Sequence, residues 1–190
     1  MRKTLYVILL FLGLCVLLRF ALNVSQKFGC NLESLLLKNN MMPAKWEKLW
    51  QVLPPALPTN GAIDALEVDY EYENDMAAHT IYRYKNVLVA YLFLRINRQV
   101  YFPTSGWKWS NLAGSEDWEL NGDEFRIRCG DSNDPFLDYS CAAVIRYGSL
   151  ISEFSSPIGG ESMSQEEFKA IVIALDNQIT SCIQTSGPQQ

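Results

Sequence analysis

Residues 4–18, TLYVILLFLGLCVLL, carry no charge and follow directly on Arg2 and Lys3. A run this apolar has no place on the surface of a water-soluble fold, so it constrains whatever comes after it. Basic residues before an apolar core are the layout of an export signal. The residues after Leu18, RFALNVS, hold no A-x-A pattern for cleavage. Leu14 stands where a lipoprotein signal needs a small residue directly before Cys15, and the chain stays apolar beyond it. The remaining reading is an uncleaved anchor. Fifteen helical residues reach about 22 Å against a hydrocarbon core of roughly 30 Å. Continuing through Arg19 to Leu22 closes most of that gap, because a terminal Arg can snorkel to the headgroups. Basic residues ahead of the segment favour a cytoplasmic N-terminus and an exported remainder. Residues 1–22 are therefore read as a transmembrane signal anchor, with secretion after signal cleavage as the alternative.

The 168 residues that follow are enough for one domain with a buried core. They hold 13 basic and 21 acidic side chains, a formal charge of −8. That balance repels phosphate backbones, and no stretch concentrates Lys or Arg, so nucleic acid is excluded as an expected partner. Four cysteines lie beyond the anchor: Cys30, Cys129, Cys141 and Cys182. An even number in an exported domain reads as two disulfides with three possible connectivities. Cys129 and Cys141 flank the turn-rich stretch GDSNDPFLDYS and are paired on that ground, which leaves Cys30 with Cys182. A zinc site is not expected, since there is no C-x-x-C and His79 is the sole histidine.

Residues 23–30 read as a polar tether. Asn23-Val24-Ser25 matches a glycosylation acceptor but sits almost against the expected membrane. Asn31 to Lys38 predicts a short helix capped by Asn31, and Pro43 opens a second one carrying Trp46, Trp50 and Leu53 towards the core. Pro54, Pro55 and Pro58 then end it. From Ala62 the period becomes two. Leu66, Val68, Tyr70 and Tyr72 share one strand face, and Glu67, Asp69, Glu71 and Glu73 the other, read as solvated. An acidic ladder on one strand does not wrap an ion as calcium loops do. Tyr84 to Val87 reads as a hairpin turn at Lys85-Asn86, and Val87 to Leu94, apolar on both faces, as a central strand. The stretch from Pro103 to Gly122 holds Trp107, Trp109 and Trp118 among turn residues and is the candidate binding surface. Glu124 to Cys129 and a hairpin with its turn at Gly148-Ser149 complete the sheet. Ser164 and Glu167 form a capping box ahead of an amphipathic helix whose stripe is Phe168, Ile171, Val172, Leu175, Ile179 and Cys182. Residues 185–190 read as a disordered tail.

Catalytic signatures are sparse. A Ser–His–Asp site would have to use His79, and Gly160-Glu161-Ser162-Met163-Ser164 lacks the last glycine of a nucleophile elbow. No glycine-rich phosphate cradle occurs, and paired cysteines are not nucleophiles. No catalytic residue, metal or cofactor is assigned. Acids are plentiful, so a carboxylate-dependent hydrolase stays open as an alternative.

The order of parts has a parallel. An N-terminal anchor leads to Met42-Pro43-Ala44-Lys45-Trp46, an antiparallel sheet, a hairpin at Arg146-Tyr147-Gly148 and a final helix from Ser164 to Ile183. This resembles the small exported domains of PsbP-like and mycobacterial LpqN-type lipoproteins. The resemblance implies an accessory or binding role outside the cytoplasm and carries over no catalytic residues.

The expectation is an α+β domain over 31–184: an antiparallel sheet of five to seven strands, with N-terminal and C-terminal helices on one face. Its expected role is binding another envelope protein or a small ligand while held at the membrane. A structural subunit of an envelope assembly is a further alternative, recognisable by a large exposed apolar patch.

Overall fold

The computed structural model describes residues 30–49, 61–96, 101–102, 105–132 and 139–185. The expected anchor, the glycosylation acceptor, Trp50, Leu53, the three prolines and the chain's last five residues lie outside these. Among the described residues no helix is long and apolar enough to cross a membrane.

Seven strands form one antiparallel sheet: β1 (Glu47–Lys48), β2 (Asp64–Tyr72), β3 (Asp75–Arg83), β4 (Trp107–Asn111), β5 (Glu124–Ser132), β6 (Ser140–Tyr147) and β7 (Leu150–Pro157). The order across the sheet is β1-β2-β3-β7-β6-β5-β4. The alternation in β2 does what its period requires: Val68 and Tyr70 are fully buried on one face. Tight turns close two hairpins. Tyr72 pairs with Asp75 around Glu73-Asn74, where Glu73 takes φ 56°, and Tyr147 pairs with Leu150 around Gly148-Ser149, where Gly148 takes φ 58°. A positive φ at the first central residue alone is the signature of a type II′ turn, whose twist matches that of the flanking strands.

Helix α2 (Gln165–Thr185) covers one face. Its start is a reciprocal capping box: Glu167 N donates to Ser164 Oγ at 3.1 Å, and Ser164 N to Glu167 Oε2 at 2.8 Å. Phe168, Ile171, Val172, Leu175 and Ile179 pack with Tyr70, Ile81, Ile145 and Phe154 in the main core.

The N-terminal segment shares that face, but not as helices. Only single 3-10 turns form, at Glu33–Leu35 and Asn39–Met41. Asn31 Oδ1 accepts from Ser34 N at 2.8 Å, but Leu32 and not Asn31 stands at the cap position of the first turn. Leu35, Leu36 and Leu37 are all buried, which a one-sided helix cannot achieve. The backbone is satisfied by side chains instead. Tyr70 OH donates to Leu37 O at 2.7 Å, and Gln178 Nε2 donates to Ser34 O and Leu36 O at 3.0 Å each. The helix expected from Pro43 is a turn followed by β1, paired at Glu47–Glu71 and Lys48–Tyr70. Trp46 does face the core, with its ring 6.0 Å from that of Tyr72.

The largest departure is the segment expected as a central strand. It is helix α1 (Val87–Ile96), and Lys85-Asn86 leads into it rather than turning a hairpin. Asn86 Oδ1 accepts from Val89 N at 2.9 Å, which caps the first turn. Ala90, Phe93 and Leu94 are buried against Ala65, Tyr82, Val144 and Ile151 on the second sheet face. Helices therefore cover both faces, where one face was expected. The acidic ladder of β2 points to this second face, and its inner end is covered, leaving Glu67 and Asp69 half-buried.

Both disulfides have the pairing read from the spacing. Cys129 and Cys141 are cross-strand partners in β5 and β6, and Cys30 joins Cys182 near the end of α2.

Candidate functional site

The three candidate tryptophans part company. Trp107 and Trp109 are alternate residues of β4, so they project from the same face. Their rings stack at 4.9 Å between centroids and 16° between planes, and both are half-buried. Phe102, itself buried, meets Trp109 edge-on at 5.5 Å, and the Arg128 guanidinium lies 5.1 Å over Phe102. Trp118 belongs elsewhere. It is 8% exposed in the main core, packed on Phe168 and covered by Lys169 at 5.5 Å, so it is a plug and not part of a surface.

β4 is the outermost strand of the described sheet. Gly130 holds it there, directly opposite Trp109. A Cβ at Gly130 would lie 2.5 Å from Lys108 O and 3.1 Å from Trp109 Cα, so a side chain would push the two strands apart. Inward from Arg128, the same face carries the small residues Ala142, Ser155 and Ala78 in register, ending at Asp69 on β2. A shallow row of small side chains thus runs between a cation and an acid, flanked by the tryptophan pair.

Deeper on this face lies Glu153 of β7. It pairs across β3 with Thr80, whose other neighbour is Glu67 of β2. Thr80 Oγ1 donates to Glu67 Oε2 at 2.7 Å and Tyr82 OH to Glu153 Oε2 at 3.3 Å. Desolvation, with a smaller contribution from the Glu67 charge, pushes the Glu153 carboxyl up to about 8, although the Tyr82 hydrogen bond acts the other way. Glu153 is thus largely a neutral proton donor at pH 7. Burial also raises the nearby Tyr82, Tyr84 and Tyr101 hydroxyls.

His79 is fully buried. Its Nδ1 accepts from Leu37 N at 2.9 Å, so the ring proton is on Nε2, 2.9 Å from Ser152 Oγ. With Nε2 already protonated, the imidazole has no lone pair with which to take the serine proton. Desolvation lowers its pKa to about 3 and keeps it neutral. It is a core fastener and not a catalytic base.

Sequence reasoning passed over Asp176. This carboxylate is 1% exposed and accepts from Asn121 N (2.8 Å), Asn121 Nδ2 (2.7 Å), Gly122 N (3.2 Å) and Tyr147 OH (2.8 Å). It fixes the loop between β4 and β5 to α2. The available signal was an acid set between Val172 and Ile179 in the helix's buried stripe.

A cleft of about 490 Å³ lies at the Glu73-Asn74 end of the sheet, among Tyr72, Asp75, Tyr139 and Glu161. Ser162 Oγ donates to Asp75 there. Among the described residues no group of three His, Cys, Asp or Glu side chains could hold a metal ion.

The fold and site together define an α+β domain with a seven-stranded antiparallel sheet, an edge aromatic pair and no assembled nucleophile–base set among the described residues. The chain matches no protein-family model, and no curated protein or solved structure is significantly similar to it.

Proposed function

We propose that this is a membrane-anchored binding domain, working without catalysis outside the cytoplasm, with Trp107 and Trp109 at its recognition surface. One observation carries the reading: two large aromatic rings remain half-exposed on an outermost strand while the other described tryptophans, Trp46 and Trp118, are buried. Two disulfides support an oxidising, extracytoplasmic setting. An outermost strand beside an aromatic pair suits an extended segment of another envelope protein, added alongside β4 by main-chain pairing. The resemblance to exported accessory domains points the same way.

The test places a photoreactive phenylalanine analogue at Trp107 of the full chain in its own membrane, with Lys108, on the opposite face, as the control. A discrete adduct from position 107 that disappears with Trp109→Ala is the expected result. No adduct, or a Trp107→Ala chain that no longer folds, would defeat the assignment.

A hydrolase is the second reading, favoured by one observation: the neutral Glu153 carboxyl and the Glu67 carboxylate flank Thr80 on the same face. Their strands are two apart, about 10 Å between backbones, and longer side chains can approach within the range that carboxylate pairs use. Hydrolysis abolished by Glu153→Gln would bring this reading forward.

A further inference from the structure

The described residues expose six large hydrophobic side chains, and five lie on α1 or at the same end of the sheet: Ile63 (62% exposed), Val87 (42%), Tyr91 (38%), Leu92 (43%) and Ile96 (72%). Four of these belong to α1, which buries Ala90, Phe93 and Leu94 against the sheet and turns a second apolar side outward. A helix apolar on both sides needs a second apolar neighbour. Lys85 is exposed just ahead of this side, and Arg95 lies on it, its guanidinium 5.2 Å over the Tyr91 ring and its Nε 3.1 Å from Glu124 Oε1.

The place of this patch in the fold says what covers it. Val87 shares a cavity of about 510 Å³ with Thr180, Ile183 and Gln184 at the end of α2. In the same turn of α2, Cys182 is bonded to Cys30, the residue through which the chain passes to its N-terminal apolar segment. Ile63 is at this end too, its N–H donating to Arg83 O at 2.8 Å. The acidic cleft with Glu73, Asp75 and Glu161 is at the opposite end of the sheet, and so is the sixth exposed hydrophobe, Met76. Eight residues, 23–30, separate the domain from the expected anchor and reach at most about 28 Å when fully extended.

We propose that the outward side of α1 lies in the interfacial zone of the phospholipid bilayer that holds residues 1–22. Val87, Leu92 and Ile96 enter the acyl boundary, Tyr91 sits at headgroup level with Arg95 held beside it by Glu124, and Lys85 snorkels to lipid phosphates. The domain then has a fixed orientation, with its acidic cleft and the Trp107 end of β4 turned away from the membrane. This rests on the anchored reading of residues 1–22.

The test uses the full chain reconstituted in phosphatidylcholine vesicles, with and without bromine on the acyl chains. Ile96→Trp and Leu92→Trp each add a fluorophore on the outward side of α1, and Met76→Trp adds one at the far end. The α1 variants are expected to lose about half of their added emission to the brominated lipid, while Met76→Trp behaves like the unaltered chain. Absence of added quenching at both α1 positions, in a chain that resists alkaline extraction, overturns the proposal and leaves the anchor standing. A blue shift there without bromine quenching also overturns it, since a protein would then be the cover. Equal quenching at Met76→Trp overturns the fixed orientation. Release of the chain by alkali removes the anchor and this proposal together.

Discussion

Glu153→Gln separates the cost of a buried charge from every other term in the fold. The carboxyl is pushed from 4.5 up to about 8, so between those values the folded chain keeps a proton that the unfolded chain has lost. Stability must therefore fall as pH rises through that interval, at ~1.4 kcal/mol per pH unit, and level off above it. The full interval sets a ceiling of ~5 kcal/mol; water reaching a half-buried side chain reduces the expected cost to about 2–3 kcal/mol. His79 works in the opposite sense. Its value is lowered from 6.5 to about 3, so stability is lost as pH falls through that range. The two slopes oppose each other between about pH 4.5 and 6.5, so the unaltered chain should change little in stability across that range. Gln keeps the shape and the acceptor for Tyr82 but cannot ionise. Urea unfolding of the full chain in detergent micelles, followed by tryptophan fluorescence, gives the difference directly, and His79 drops out of it. Glu153→Gln should match the unaltered chain near pH 5 and exceed it by about 2–3 kcal/mol at pH 8. A difference that does not change with pH would refute the buried-acid assignment.

Further perturbations probe the rest of the structure. Trp118→Ala should cost about 3–5 kcal/mol by opening a core cavity, whereas Trp107→Ala should cost under about 1 kcal/mol, read from urea midpoints. Replacing Cys30 and Cys182 by Ser removes a closure 152 residues apart and should cost ~5 kcal/mol, against ~3 kcal/mol for the 12-residue closure of Cys129 and Cys141. Comparable losses from both pairs would contradict the chain-entropy account. Asp176→Asn turns an amide N–H₂ towards donors that now meet a carboxylate, so it should cost about 2–3 kcal/mol. Faster hydrogen exchange at Asn121 and Gly122 is the sign to look for. Ser164→Ala breaks the capping box and should cost about 1 kcal/mol, with fraying confined to the first turn of α2.

What was readable beforehand depended on how local its cause was. The capping box, the alternation of β2 and the Gly148-Ser149 turn are set by residues within a few positions of one another, and each formed where its pattern stood. Residues 87–96 failed for a physical reason. Apolar groups on all sides erase the period that tells a strand from a helix, and the outward apolar side made a doubly packed strand look necessary. The spacing of Trp46 and Trp50 suggested a helix, yet pairing with β2 drew Glu47 and Lys48 into an edge strand. Of the candidate surface, Trp-Lys-Trp already had strand spacing, which places Trp107 and Trp109 together. Nothing local distinguished them from Trp118. That separation comes from which side of the sheet the chain crosses after β4, a crossing fixed by Asp176 more than fifty residues later.

The bridge from Cys30 to Cys182 encloses nearly the whole described domain. A protease that nicks any exposed connection between those two positions cuts the chain but sets nothing free, because both pieces stay joined through sulfur. If residues 1–22 hold the domain at a membrane, as proposed, its release has two routes: a cut within residues 23–29, ahead of Cys30, or an internal cut followed by reduction. The redox state of the surroundings decides whether a nicked molecule is retained or lost, so the damaged domain can remain in place wherever oxidising conditions hold.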